Sequence, residues 1–169
     1  RWFSGETVSV VIGQGALTVT PLQLAHSIGG LIRAGEWQKP HLMLDPPPAL
    51  DPPRKANWST ENTAKVVNGM YGVVNGGGTA RGAAIPGVEF CGKTGTAQLA
   101  SNDLIRSRKL GLTLSDNAWF VGFAPRVNPE IVVVAVGSRY GWPVAFDVSG
   151  VGKPGVCLTP GSSRAAASR

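Results

Sequence analysis

No stretch of eighteen or more apolar residues occurs anywhere in the 169-residue sequence, which excludes a bilayer-spanning helix within it. Any membrane anchor is expected upstream. The first residue is Arg1 rather than Met, Arg1–Gly5 carries no signal-peptide pattern, and the chain reads as a piece of a longer protein. Charge is sparse too: 15% of residues are charged against 43% apolar, the balance of a globular chain rather than a disordered one. The two cysteines, Cys91 and Cys157, form no metal or redox motif. A disulfide between them stays open, but packing is the commoner role of lone cysteines. Of the two histidines, His26 has no acidic residue or second histidine near it in sequence, and His41 is equally bland beside Pro40, so neither is expected to catalyse. The net charge of +6 lacks a basic stripe with interleaved aromatics. Arg139, Lys153, Arg164 and Arg169 against Asp147 carry half of it near the end, and no nucleic-acid partner is expected.

What the sequence does contain is mixed helix and strand. Val8–Ile12 is a short β-branched run closed by Gly13-Gln14-Gly15. Thr20 can cap a helix, with Pro21 at its first position and Gln23 completing a capping box. Leu24, Ile28, Leu31 and Ile32 then recur at helical spacing up to a stop at Gly35. The proline-rich span 40–53 is an extended surface connection. A second helix starts near Ser59 or Thr60, has apolar positions at Ala64, Val67, Met70, Tyr71 and Val74, and ends at Asn75-Gly76-Gly77-Gly78. Strands are predicted over 88–97, 118–124 and 131–136, with 99–115 an irregular insertion. The short turn at 125–129 makes the last two strands antiparallel. From Gly137 onward Gly, Pro, Ser, Ala and Arg dominate, and an irregular, disordered tail over 137–169 is expected.

The chemistry centres on Cys91-Gly92-Lys93-Thr94-Gly95-Thr96-Ala97-Gln98. Acyl transfer from a peptide with a free carboxylate needs a nearby cation, hydroxyl donors for the carboxylate and backbone N–H groups for the oxyanion. A strand bearing Lys-Thr-Gly-Thr along a cleft supplies parts of all three. Lys93 provides the charge, Thr94 and Thr96 the hydroxyls, and Gly95, without a Cβ, lets a substrate backbone lie close. An ideal strand puts Lys93 and Thr94 on opposite faces, so how both serve one cleft is not decided by the sequence. A surface turn would use the same three residue types, and Lys-Thr-Gly alone is only a hypothesis.

A rival pattern occupies the same residues. Gly87 through Thr94 satisfies the phosphate-loop spacing G-x-x-x-x-G-K-[ST], which would make a nucleotide-binding domain. That motif needs a buried strand before it and a helix after it. Here Pro86 precedes Gly87, Val88-Glu89-Phe90-Cys91 reads as strand, and Gly95-Thr96 stand where the helix should begin.

Four segments in order resemble the transpeptidase domain of class B penicillin-binding proteins over about residues 2–136. They are Ile12-Gly13-Gln14-Gly15 with Val19 through Ala25; Gly69 through Val74 with Gly78-Thr79-Ala80; Gly92 through Gln98; and Ala118 through Pro125. The first of them is most similar to the elongation-type members, with the division type a close competitor. The resemblance implies an α+β fold: the C-terminal part of a serine β-lactamase/transpeptidase-like domain, an antiparallel sheet flanked by helices and incomplete in this chain. It implies catalytic roles for Lys93 and Thr96, whose backbone N–H would form half of the oxyanion hole, and substrate-binding roles for Thr94, Gly95 and Trp119. It implies peptidoglycan stem peptides and β-lactams as partners and neither a metal nor a nucleotide cofactor. Work at the periplasmic face of the inner membrane follows, with the cell-elongation machinery as a possible associate.

The departures are as informative. The superfamily's motif set is S-x-x-K, S-D-N and K-T-G. No Ser-x-x-Lys occurs, so nucleophile and base are expected upstream and the chain alone is expected to be inactive and poorly folded. Ser115-Asp116-Asn117 matches the second motif by letters but follows Lys93, where the family order puts it before; it reads as a decoy in a turn. The family closes with a helix after the strand matching 131–136, whereas this tail holds Pro143, Pro154 and Pro160, so a frame error or an abnormal terminus is suspected. Arg106, Arg108 and Lys109 are read as a solvated loop, and Trp2, Trp37 and Trp58 as packing residues. A non-catalytic penicillin-recognising module remains the other reading that shares these motifs.

Overall fold

The structure is a computed structural model that describes residues 2–15, 17–41, 51–97, 116–138 and 141–149. Two of its helices begin where their sequence says they should. Helix α2 (Pro21–Ile32) is opened by Thr20: its side chain accepts from the Gln23 N–H at 3.2 Å, and the Gln23 side chain accepts from the Thr20 N–H at 2.8 Å. Helix α3 (Thr60–Asn75) is capped by Ser59, which accepts from the Asn62 N–H. The stop at Gly35 is steric as well as conformational. Its φ is +92°, and a Cβ there would stand 2.7 Å from the Ala56 carbonyl oxygen. Two short strands, β1 (Glu36–Trp37) and β2 (Arg54–Lys55), pair beyond it, and Trp37 stacks edge-on to Trp58 at 4.9 Å. Trp37 is a packing residue, as read from the sequence, whereas Trp58 and Trp2 are exposed.

The β-branched run 8–12 is mostly helical. Helix α1 (Ser4–Val11) carries it, begun by the Glu6 carboxylate accepting from the Phe3 N–H. Gly13, at φ +77°, ends it: its N–H donates to the Val10 carbonyl and the Gln14 N–H to the Ser9 carbonyl. That paired closure of the last turn satisfies carbonyls the helix would otherwise leave bare.

The sheet is antiparallel throughout, in the order β3-β4-β5-β6: Cys91–Ala97, Asn117–Ala124, Ile131–Ser138 and Gly141–Ser149. Cys91 faces Phe123 and Phe123 faces Val132, while Val121 faces Val134. These five are buried on one face of the sheet, where Ala25 of α2 and Met70 of α3 join them. Leu24, Ile28, Leu31 and Ile32, together with Val67 and Tyr71, pack around that cluster. The helical periodicity therefore names the right face, except that Ala64 is exposed. On the other face Gly92 and Gly122 leave room for aromatic rings. A Cβ at Gly92 would strike Phe120, one at Gly122 would strike Phe90, and those two rings lie 5.7 Å apart.

Two expectations are corrected here. The tail is not irregular throughout, because β6 pairs with β5 from Ile131↔Ser149 to Ser138↔Gly141. The residues Trp142, Val144, Phe146 and Val148 do alternate with smaller or polar ones, a period-2 signal hidden among Gly and Pro, and the unpaired edge of β5 gives the strand its hydrogen-bond partners. Pro143, which cannot donate to a ladder, sits on a strand with one neighbour among the described residues. Secondly, Asn117 is the first residue of β4, opposite Ala97, rather than a turn residue. The insertion 99–115, with Arg106, Arg108 and Lys109, lies outside the described residues, as do Cys157 and the tail beyond 149. Among the described residues no helix is long and apolar enough to cross a membrane.

Candidate active site

Strand β3 is an edge strand, with β4 as its one neighbour among the described residues. In an antiparallel pair each residue turns both backbone groups toward its partner strand or both away from it, alternately. The carbonyls of Phe90, Thr94 and Thr96 accept from Asn75 Nδ2 (2.8 Å), Lys93 Nζ (2.7 Å) and Gln14 Nε2 (3.0 Å), none of which lies on β4. The even-numbered residues of the motif thus present their backbone at the free edge, and the Thr94 and Thr96 N–H groups point the same way.

The register then sorts the side chains. Lys93 and Gly95 share the face of Val121 and Trp119, their cross-strand partners, and Thr94 and Thr96 share the face of Phe120 and Ala118. Lys93 and Thr94 lie on opposite faces of the strand and meet at its edge. The Lys93 side chain is long enough to fold back from its own face onto the Thr94 carbonyl, so its ammonium arrives where the outward backbone groups are. Lys93, Gly95 and Thr96 are exposed and Thr94 is half-buried. Among the described residues no carboxylate lies within ion-pair reach of Lys93.

Thr94 is fixed from the side. Its Oγ1 lies 2.8 Å from Thr79 Oγ1, in the glycine-rich loop after α3. That loop is compact, since Ala80 N–H donates to the Val73 carbonyl and a Cβ on Gly78 would stand 2.5 Å from Val73 Cα. Helix α3 also reaches β3 through Asn75, whose amide holds the Phe90 carbonyl. Sequence reasoning singled out Gly78-Thr79-Ala80 for resemblance but assigned Thr79 no contact. Gln14 likewise belongs to a resembling segment that gives it no role, and no signal within either segment shows a partner so distant in the chain.

Trp119 is half-buried beside Gly95, against the core cluster, and a Cβ on Gly95 would sit at an ordinary 3.5 Å from its Cβ. Its indole nitrogen and the Asn117 amide oxygen are both buried without a hydrogen-bond partner among the described residues. Cys91 starts the strand as a fully buried free thiol, and burial pushes its pKa up. His26 is a structural residue, its Nε2 2.9 Å from the Gln38 carbonyl. A shallow groove at the other end of the sheet, lined by Val88, Glu89, Pro125 and Glu130, includes no residue of the motif.

The phosphate-loop alternative fails on this geometry. Gly92, Lys93 and Thr94 lie inside an extended strand paired with Gly122, Val121 and Phe120, and Pro86-Gly87 form a tight turn bridged by Ile85 and Val88. A phosphate cradle needs successive N–H groups converging at a helix start, and a paired strand directs them alternately to opposite sides.

An edge strand carrying Lys-Thr-Gly-Thr, backed by two helices on an antiparallel sheet, is the architecture of serine acyl-transfer domains that recognise penicillin. The chain belongs to the penicillin binding protein transpeptidase domain family, whose model matches residues 1–140. It is 38% identical over 153 residues to the peptidoglycan D,D-transpeptidase MrdA of Haemophilus influenzae and 36% identical over 150 residues to that of Acinetobacter baumannii. Those alignments cover 80% of this chain but only 23% and 22% of the relatives, so the chain spans less than a quarter of their length. The transpeptidase domain of Burkholderia pseudomallei penicillin-binding protein 3 superposes with a TM-score of 0.61 at 28% identity, over 82% of this chain and 40% of that one. A chain of a peptidoglycan synthase complex gives the same TM-score at 31% identity, over 83% of this chain and 23% of that one.

Proposed function

We propose that this chain is part of an elongation-type peptidoglycan D,D-transpeptidase that cross-links stem peptides by serine acyl transfer and binds β-lactams as mimics of the acyl donor. The observation that carries the reading is the free edge of β3, which presents an ammonium, a hydroxyl and an outward N–H within four residues. A serine upstream of this chain attacks the penultimate D-alanine carbonyl, its proton passing to an upstream lysine. Thr96 N–H holds part of the oxyanion, and the bond to the terminal D-alanine breaks as that residue takes a proton and leaves. An amine on a neighbouring strand then displaces the serine and restores its proton. Lys93 and the Thr94 and Thr96 hydroxyls hold the donor's carboxylate, Gly95 lets the peptide backbone approach, and Trp119 walls the groove. The reaction belongs at the periplasmic face of the inner membrane, and the cell-elongation machinery is the partner expected of this type.

Fluorescent penicillin tests the proposal. The 169-residue chain, with no Ser-x-x-Lys, stays unlabelled, whereas the longer protein that carries it is labelled. Lys93→Ala in that protein slows labelling by about 100-fold, the order of loss for one preorganised electrostatic group. A covalent adduct on the 169-residue chain, or full-rate labelling of the Lys93 variant, overturns the reading. A longer protein that takes no label is the result for a non-catalytic module.

A further inference from the structure

Thr96 offers both of its backbone groups at the free edge of β3. In an antiparallel ladder the residue opposite such a position exchanges two bonds with it, taking its N–H and giving an N–H to its carbonyl. A peptide whose scissile carbonyl rests on the Thr96 N–H therefore brings the N–H of that same residue to the Thr96 carbonyl. This is strand addition to a sheet edge. The carbonyl is already occupied, because Gln14 Nε2 donates to it at 3.0 Å.

Gln14 is not on a loose arm. It follows Gly13, whose φ of +77° closes α1, and its own N–H is tied to the Ser9 carbonyl at 2.8 Å. Gly15 after it, also at φ +77°, is packed so that a Cβ would lie 3.1 Å from Ser9 Cβ. The end of one helix thus delivers a primary carboxamide to a single acceptor 82 residues away in sequence. Chemically that N–H···O=C bond is the one a peptide would make.

We infer that Gln14 is a resident occupant of the acyl-donor subsite, a specificity-determining residue whose carboxamide holds the Thr96 carbonyl until a donor's N–H replaces it. The inference rests on the role proposed above for Thr96. Binding then exchanges one hydrogen bond for another, so the peptide's N–H adds no net bond at this position. A donor without that N–H leaves Gln14 in place.

The test compares acylation of the longer protein that carries this chain by two thioester donors. One presents an N-acetyl-D-alanyl group, and the other a propionyl group with no nitrogen at the position facing Thr96. Gln14→Ala is expected to raise kcat/KM for the first by about 2- to 12-fold, the net worth of one hydrogen bond, and to leave the second unchanged. Gln14→Met, of similar length but with no donor, behaves like Gln14→Ala. A fall for the N-acetyl-D-alanyl donor, or an equal change for both donors, overturns the inference about Gln14 and leaves the transpeptidase reading standing. Failure of the wild-type protein to be acylated by either donor overturns both.

Discussion

The hydroxyls of Thr79 and Thr94 meet at 2.8 Å, joining the loop after α3 to the central threonine of the motif strand. The bond is exposed, so its net worth is at the low end for a hydrogen bond. Thr79→Val is expected to lower unfolding free energy by about 0.5–1 kcal/mol in a denaturant titration, and Thr79→Ser to restore it. An unchanged midpoint in the valine variant would show that the loop is held without it.

Two glycines separate packing from function. At Gly122 a Cβ would stand 2.6 Å from the Phe90 ring and 2.8 Å from the Cys91 carbonyl oxygen, and the carbonyl cannot yield. Gly122→Ala should therefore destabilise by about 1–3 kcal/mol, as overpacking does. At Gly95 the nearest atom is 3.5 Å away, so Gly95→Ala should leave the melting temperature in place while slowing penicillin acylation of the longer protein. A melting loss at Gly95 equal to that at Gly122 contradicts this division.

The Cys91 thiol has its pKa raised above the 9.0 of a free thiol, first by burial, with Glu89 adding to the shift and Arg126 opposing it. In alkali the unfolded chain releases this proton before the folded chain does, so the folded state holds more protons and stability falls as pH rises. The loss begins near the free thiol's value and is absent below it. Denaturation of wild type and Cys91→Ala across neutral and alkaline pH checks this: the alanine variant starts less stable from its lost packing, and its slope above pH 9 is shallower.

Arg126 fastens the β4–β5 turn to α3, with a 2.6 Å bond to Asn68 Oδ1 and its guanidinium 4.6 Å from the Tyr71 ring centre. Arg126→Ala is expected to cost about 1–2 kcal/mol by thermal or chemical unfolding. Arg126→Lys recovers only part, since an ammonium lacks the planar fork that meets amide and ring together.

Local chemistry made the helix starts legible. Thr20, Pro21, Gln23 and Ser59 act on groups within four residues, and the sequence alone determines them. Strands β4 and β5 were legible because Trp119 to Phe123 and Ile131 to Val136 are continuous apolar runs bounded by turn residues. Helix α1 was not, because Val8, Val10, Val11 and Ile12 favour strands while the closure at Gly13 needs carbonyls four and three residues earlier. Strand β6 escaped since its formation depends on the edge of β5, a feature of the sheet rather than of residues 141–149. The site residues Lys93 to Thr96 came from their motif, whereas the bonds that set their geometry, from Gln14 and Thr79, cross 82 and 15 residues. No local pattern encodes such distances.

An unpaired ribbon is ordinarily an invitation to self-association, because any extended chain can dock its amides on it. Here the outward carbonyls of Phe90, Thr94 and Thr96 are each covered by a side-chain donor, while Gly92 between them turns its own backbone to the same edge. A second molecule that zips along the whole ribbon must evict an asparagine, a lysine and a glutamine, and each eviction raises the cost of that pairing.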